Sequence, residues 1–184
     1  MKYCSACGGE VQLTTPEDDN RERHVCKSCD CIHYINPRII VGCLPIRGGQ
    51  VLLCKRAIEP RLGYWTLPAG FMENGESCEA GAARETLEET QAIVSSGQLQ
   101  SCVSIPYINQ VYMLFMAELG DAPFGPTPES TEVALFSEEE IPWEQLAFPV
   151  MKFALERYFE DRKSGNFKTH QHVIEFRPSR QRVG

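Results

Sequence analysis

From residue 38 onward, apolar and polar positions fall into short β-rich runs and two segments of helical character. Residues 38–46 (RIIVGCLPI) are a β-rich run, Gly48-Gly49 marks a hairpin turn, and residues 50–56 return as a second strand. A loop over 58–62 leads to a short strand at 65–68. A helix is predicted over 78–90, with Glu76 and Ser77 at its start, where acidic and hydroxyl groups suit the dipole and the cap. Strands are expected at 99–105 and 110–118, a Pro- and Gly-rich loop at 121–130, and a strand at 131–136. Ser137-Glu138-Glu139-Glu140 has the spacing of a capping box, residues 148–163 carry an amphipathic helical pattern, and a last strand is expected at 172–176.

The first 35 residues follow no such pattern. Cys4-x2-Cys7 and, 18 residues later, Cys26-x2-Cys29 are two knuckles able to close one tetrahedral zinc site. Gly8 and Gly9 follow the first knuckle, where the chain must turn tightly. So short a segment cannot bury a proper core, so the metal would supply the folding free energy. Cys31 and His33 are expected to flank a filled four-cysteine site, His33 in a short strand. Asn36-Pro37 reads as a linker, which gives two domains: a zinc ribbon over 1–35 and a larger domain over 36–184.

Bulk properties narrow the class. No apolar run approaches the roughly 18 residues of a membrane helix, and the start MKYCSACGG lacks the apolar stretch of a signal peptide. Nine cysteines, an odd number without an export signal, suit a reducing, cytoplasmic setting with metal or free thiols. A net charge of −7 makes nucleic acid an unlikely partner and repels polyanions, so phosphate would have to be held by metal and a few cations.

The chemistry concentrates in GFMENGESCEAGAARETLEETQA, where six acidic side chains sit within 23 residues. Glu85, Glu88 and Glu89 fall at i, i+3 and i+4, on one face of the predicted helix. Such carboxylates repel one another, and hard Mg²⁺ or Mn²⁺ reverses the sign of that cost while keeping open positions for phosphate. A solvated acidic face is the common alternative, and the surrounding pattern decides against it. Gly70 lets the backbone come close, so the carbonyl of Ala69 or Gly70 can be a ligand. Glu76 and Arg84, two turns apart, are expected to pair and hold the loop against the helix.

Gly70, five residues, Glu76, seven residues, Arg84-Glu85, two residues and Glu88-Glu89 together resemble the signature of the Nudix hydrolases. Thr86 departs from it where an aliphatic residue is usual. Gln91 departs where the family has a glycine that caps the helix. The likeness extends through YINP, VGCLPIRGGQVLLCKRAIEPRLGYWTLPAGFMENGES, GPTPES and LFSEEEIPWEQLAF to a subgroup of two-part members with an N-terminal zinc ribbon. It implies an α/β fold, the Nudix α/β/α sandwich with a mixed sheet. It also implies Mg²⁺- or Mn²⁺-dependent hydrolysis of a nucleoside diphosphate linked to another moiety, FAD or ADP-ribose first, and a homodimer. Glu85, Glu88 and Glu89 take the metal-binding role by resemblance. The general base is expected at Glu132, then Glu129, with Glu85 a third choice.

Tyr64, Trp65, Phe71 and Tyr107 offer stacking surfaces and Lys55, Arg56 and Arg61 reach for phosphate; Arg56, Trp65 and Tyr107 are the candidate substrate contacts, although Trp65 reads first as a core or interface residue. A related zinc-ribbon group acting on NADH and NAD-capped RNA carries SQPWPFPxS after the signature. This chain has IVSSGQLQSCVSIPYINQ there, so that activity ranks as an alternative. Pro106 resembles a mark of ADP-ribose hydrolases and Tyr107 one of dinucleoside polyphosphate hydrolases, and the two point apart. The remaining alternative is a nucleotide sensor without catalysis, which predicts eroded carboxylates that this chain does not show.

Overall fold

The computed structural model describes residues 1–175, so predicted Phe176 lies outside the described residues. The chain divides into two compact units, Met1–Pro37 and a second beginning at Arg38.

In the first unit, β1 (Val11–Thr14), β2 (Arg23–Cys26) and β3 (Ile32–His33) form an antiparallel sheet in that order. Two turns of the same build carry the cysteines. The Gly8 amide bonds the Cys4 carbonyl at 2.9 Å, and the Asp30 amide bonds the Cys26 carbonyl at 3.1 Å. Gly8 and Asp30 are both left-handed, φ 75° and 53°, a conformation taken readily by Gly and tolerated by Asp. Among the described residues, the buried apolar clusters all belong to the second unit, so this one lacks a core of its own.

The second unit holds β4 (Arg38–Arg47), β5 (Gln50–Arg56), β6 (Trp65–Thr66), β7 (Ala69–Phe71), α1 (Cys78–Thr90), β8 (Val94–Ile105), β9 (Gln110–Leu119), β10 (Ser130–Phe136), α2 (Pro149–Ser164) and β11 (His170–Val173). Its mixed sheet has the order β10-β5-β4-β9-β8-β11, with β4 parallel to β9 and β11 parallel to β8. Strand periodicity feeds both faces. Val41 and Cys43 of β4 join Ala82 of α1, Phe115 and Ala117 on one side. Ile40 and Leu44 join Val150, Ala154, Leu155 and Phe159 of α2 on the other. This is the α/β/α sandwich.

β4 and β5 pair only next to their hairpin, Ile46 with Val51 and Arg47 with Gln50. Beyond that they part. β7 takes the freed edge of β4 along Ile40–Gly42, and β6 takes that of β5 at Cys54 and Lys55. The segment crossing this gap delivers the chain to the start of α1.

α1 spans the predicted residues because both ends are capped. Ser77 Oγ accepts the Ala80 amide at 3.2 Å. At the other end Gln91 takes the left-handed conformation (φ 60°, ψ 4°) that a glycine would normally supply, and its amide bonds the Leu87 carbonyl at 2.8 Å. The strain of a side chain there is on the order of 1–2 kcal/mol, and Gln91 Nε2 offsets it by donating to the Pro126 carbonyl at 2.6 Å. Thr86 is fully buried and satisfies its hydroxyl on the Ala82 carbonyl at 2.8 Å. The predicted box at Ser137 is present as the Glu140 carboxylate accepting the Ser137 amide at 3.0 Å.

β6 stops at Thr66, short of residue 68, β7 was not expected, and two strands begin ahead of expectation. β8 starts at Val94, earlier than residue 99, because its first half is polar and interrupted by register shifts around Leu99. β11 starts at His170 rather than at residue 172. Among the described residues no helix is long and apolar enough to cross a membrane.

Replacing Gln91 separates the two terms at the helix end. Gln91→Ala keeps the strain and loses the bond to Pro126, so it should lower stability by about 1 kcal/mol. Gln91→Gly relieves the strain while losing the same bond, and should stay within about 0.5 kcal/mol of the parent. Equilibrium urea unfolding of both variants reads the difference.

Candidate active site

Along α1 one arginine gathers three glutamates into a wall. Arg84 grips Glu76 with two bonds, Nε to Oε2 at 3.1 Å and Nη2 to Oε1 at 2.9 Å. The same guanidinium reaches Glu85 at 2.8 Å, Glu88 at 2.9 Å and the Phe71 carbonyl at 3.2 Å. The predicted Glu76–Arg84 clamp is therefore present, and the two further carboxylates on it were not foreseen. Glu76 also accepts the Glu73 amide at 2.7 Å. The Arg84 guanidinium, with that amide second, pulls the Glu76 carboxyl down to about 2.

Gly70 lies against this wall. A Cβ on it would overlap the Glu85 carboxylate, so the β7 backbone and the acid approach as closely as glycine alone permits. Glu89, 7% exposed, turns inward: Oε2 accepts the Ala69 amide at 3.1 Å and lies 3.7 Å from Cys54 Sγ. Burial pushes its carboxyl up to about 7 despite the Ala69 amide. Burial also raises Glu85, against the pull of Arg84.

A cavity of about 710 Å³ is lined by residues of two kinds. An acidic set comprises Glu85, Glu88, Glu89 and Glu129 with the Ala69 and Gly70 backbone. An apolar set, the apolar half of the lining by kind, includes Ile105, Tyr112, Met151 and Ile174, and the lining also holds the exposed rings of Phe71 and Tyr107. Arg56 lies on the lining, its Nε bonded to the Pro60 carbonyl at 2.8 Å and its guanidinium 5.4 Å from the centre of the Phe148 ring.

The predicted residues separate here. Glu129 reaches the cavity, and its charge bears on Glu85. Glu132 does not line it. A register shift between Ser130 and Glu132 turns that side chain to Lys55 on β5, with a 2.7 Å ion pair. The structure thus puts Glu129, and not the first-choice Glu132, on the cavity lining. Trp65 also needs correction as a substrate contact: it is 8% exposed, its ring meets Phe136 edge-on at 4.9 Å, and it is core. Tyr64 lies off the lining beside Arg61. Phe148 was missed, since nothing local sets it apart from the start of an amphipathic helix.

The donor set suits hard divalent cations: carboxylate oxygens packed against a backbone stripped of Cβ. Among the described residues, triads of metal-ligating atoms already within 4.8 Å of one another occur only in the ribbon. Glu85 and Glu88 are held by Arg84 instead, and Glu88, 57% exposed, can swing from the guanidinium to an ion.

In the ribbon, the sulfurs of Cys4, Cys7, Cys26 and Cys29 lie within 4.8 Å of one another. Cys4–Cys29 is 3.8 Å and Cys7–Cys26 is 3.5 Å, close to the ~3.8 Å edge of a tetrahedron with ~2.3 Å zinc–sulfur bonds. The Ser28 amide, 3.4 Å from Cys26 Sγ, draws that thiol down to about 6, toward the thiolate a metal needs. A Cβ on Gly9 would stand 3.3 Å from Cys26 Sγ and 2.6 Å from Ser28 Oγ, so glycine keeps the cage closed. His33 Nε2 lies 3.3 Å from Cys4 Sγ, outside the four-sulfur set, and its ring N–H can bond the sulfur. The four sulfurs fit a structural zinc.

Comparison with known proteins agrees with this architecture. Residues 2–35 match a family model described as Nudix N-terminal, a zinc ribbon, and residues 36–159 match the NUDIX domain. The chain belongs to the Nudix hydrolase family. A crystal structure of a Nudix hydrolase from Nitrosomonas europaea is 54% identical, with a TM-score of 0.93 over 96% of this chain and all of that one. The NAD-capped RNA hydrolase NudC of Photobacterium profundum is 29% identical over 139 residues, 74% of this chain and 50% of that protein. The chain thus spans about half the length of the curated relatives it matches. An ADP-ribose pyrophosphatase from Streptococcus suis, 18% identical with a TM-score of 0.61 over 76% of this chain and all of that one, shares the fold.

Two outcomes test these sites. A Glu whose folded pKa is raised is favoured below its unfolded value near 4.5 and loses that advantage as pH rises through about 7. Without added divalent cation, Glu89→Gln should therefore stabilise the protein at pH 8, on the order of 3 kcal/mol at most, and by little at pH 4.5. Urea midpoints at the two pH values check this. In the ribbon, Cys4→Ser should release the zinc measured by mass spectrometry and remove amide-exchange protection from Met1–Pro37.

Proposed function

We propose that this protein hydrolyses the phosphoanhydride of a nucleoside diphosphate linked to another moiety, with divalent cations bound at the α1 wall. The observation that carries the reading is the pairing of carboxylates Glu85, Glu88 and Glu89 with the Gly70 backbone inside one cavity that also presents Arg56 and Glu129. A volume of about 710 Å³ suits a dinucleotide-sized ligand. When bound, the cations would neutralise phosphate oxygens and lower the pKa of a water.

The chain's own groups supply the rest. Arg84, fixed by Glu76, keeps Glu85 and Glu88 in register on the helix. Arg56 offers a cation for a phosphate oxygen. Glu129, whose charge bears on Glu85, takes a proton from water as oxygen attacks phosphorus, the bridging P–O bond breaks and two monophosphates leave. The apolar half receives a ring.

For the substrate, the sequence resemblance favours FAD, giving FMN and AMP, or ADP-ribose, giving AMP and ribose 5-phosphate. The NAD-capped RNA hydrolase relatives bring NAD-capped RNA into the same class, and NADH joins it by its chemistry, since each contains an adenosine diphosphate linked to a second moiety. Purified protein with Mg²⁺ and FAD, ADP-ribose, NADH or an NAD-capped oligonucleotide should release AMP or an adenosine 5′-monophosphate end from at least one. No release from any would favour a nucleotide sensor. On the preferred substrate, Glu88→Gln should lower kcat by about a hundredfold or more. Glu129→Gln should lower kcat well beyond Glu132→Gln, and the reverse order would move the proton acceptor to β10.

A further inference from the structure

The segment after α2 lies beyond residue 159, where the NUDIX match ends, yet it reaches the cavity. Gly165 ends α2 in the left-handed conformation, and the chain turns back so that β11 adds a parallel edge strand to β8. His170 pairs with Ser101 and Val173 with Ser104, and the Ile174 amide continues the ladder to the Ser104 carbonyl at 2.9 Å. His170, His172 and Ile174 share one face of this strand at period two. His172 stacks on Phe153 of α2 at 4.6 Å, and Ile174 lies on the cavity lining and packs against the apolar cluster that includes Ile105 and Met151.

The return is latched. Asp161, a 5%-exposed carboxylate on α2, meets His170 Nε2 at 2.7 Å and accepts the Lys168 amide at 3.3 Å. Thr169 Oγ1 adds a bond to the Leu99 carbonyl at 2.7 Å. A buried carboxylate is costly unless hydrogen-bonded, so Asp161 holds β11 in one register. With a period-two strand, register decides which side chain faces the cavity.

We infer that Ile174 is a specificity-determining residue. Delivered by β11 and held by the Asp161–His170 latch, it sets the depth of the apolar half and so the size of the ring system admitted at one end of the substrate. This rests on the dinucleotide reading above and deepens it: the class is a dinucleotide whose second moiety or base carries a flat ring. His170 is a positioning residue, acting through the strand, and touches no reacting atom.

The test is steady-state kinetics on the full chain with FAD, ADP-ribose and NADH. Ile174→Ala should raise KM roughly tenfold for the best substrate with kcat within about twofold. Ile174→Trp, by filling the space, should reject FAD more strongly than ADP-ribose. Val173→Ala, on the opposite face and 51% exposed, should change neither constant. His170→Ala should raise KM as Ile174→Ala does, and the double variant should fall short of the product of the two effects. His170→Gln, which can still donate to Asp161, should restore part of the loss. If the wild type turns over a dinucleotide while both Ile174 variants keep its KM and its ranking of substrates, this inference alone falls. A wild type inert to all three substrates would overturn it together with the reading beneath it. Thermal unfolding separates variants that fail to fold, and Ile174→Val then gives the same KM comparison with a single methyl removed.

Discussion

The Arg84 guanidinium is the interaction on which the site depends. Three glutamates on one helical face, with a fourth at its start, would repel one another and weaken α1. Arg84 answers that charge at three carboxylates at once, and its planar fork suits the two-bond grip on Glu76 in a way a lysine could not. Because Glu76 also takes the Glu73 amide, the clamp pins the loop from β7 to the helix it feeds. An acidic face that would otherwise be plain surface becomes an ordered wall of paired carboxylates, of which Glu88 is the most exposed.

The wall would face solvent if the sheet were continuous. It faces a cavity because β4 and β5 separate past their hairpin and leave a gap that β6 and β7 only partly fill. Gly70 and Gly42 mark how tightly that gap is bridged, since a Cβ on Gly42 would overlap Ala69 just as one on Gly70 would overlap Glu85. The fold thereby places an edge of backbone against carboxylates in a cavity that β8, β9, α2 and Ile174, just after β11, also line with apolar groups. Burial on one side and charge on the other give Glu89 its raised pKa and Glu76 its lowered one within a single helix-and-loop segment.

How much of this the sequence disclosed follows from how local each signal is. The start of α1 was legible because Ser77 and the acid spacing are read within one turn, and the four ribbon cysteines because knuckle spacing is itself the geometry. The charged clamp was legible only in half: Glu76 with Arg84 follows from two helical turns, whereas Glu85 and Glu88 sharing that guanidinium depends on rotamers. Glu129 and Glu132 are near neighbours in the chain, and a register shift in β10 decides which one faces the cavity. No period in the sequence announces that shift. Trp65 was a candidate stacking residue that already read first as core, and its burial against Phe136 is set by a strand far along the chain. Gln91 raised a doubt about the helix end that the structure answers with the Pro126 carbonyl, a partner reached only once the 121–130 loop is folded.

A site assembled across such distances divides its labour by how far each part lies in sequence. Most of the groups proposed to handle phosphate come from one short stretch, Gly70 to Glu89, so their mutual geometry depends little on changes elsewhere in the chain. The apolar half is drawn from β8, β9, α2 and the segment that β11 begins, none of it adjacent in sequence to that stretch and the last of it beyond the matched family region. Backbone ladders fix its strands, and a single buried His–Asp pair latches the last. Changes in β11 can therefore reshape what ring is admitted without disturbing the carboxylates, because the Asp161–His170 latch and the Arg84 clamp draw on separate residues. On the proposed reading, that separation of contacts leaves chemistry in one segment and selectivity in a late strand.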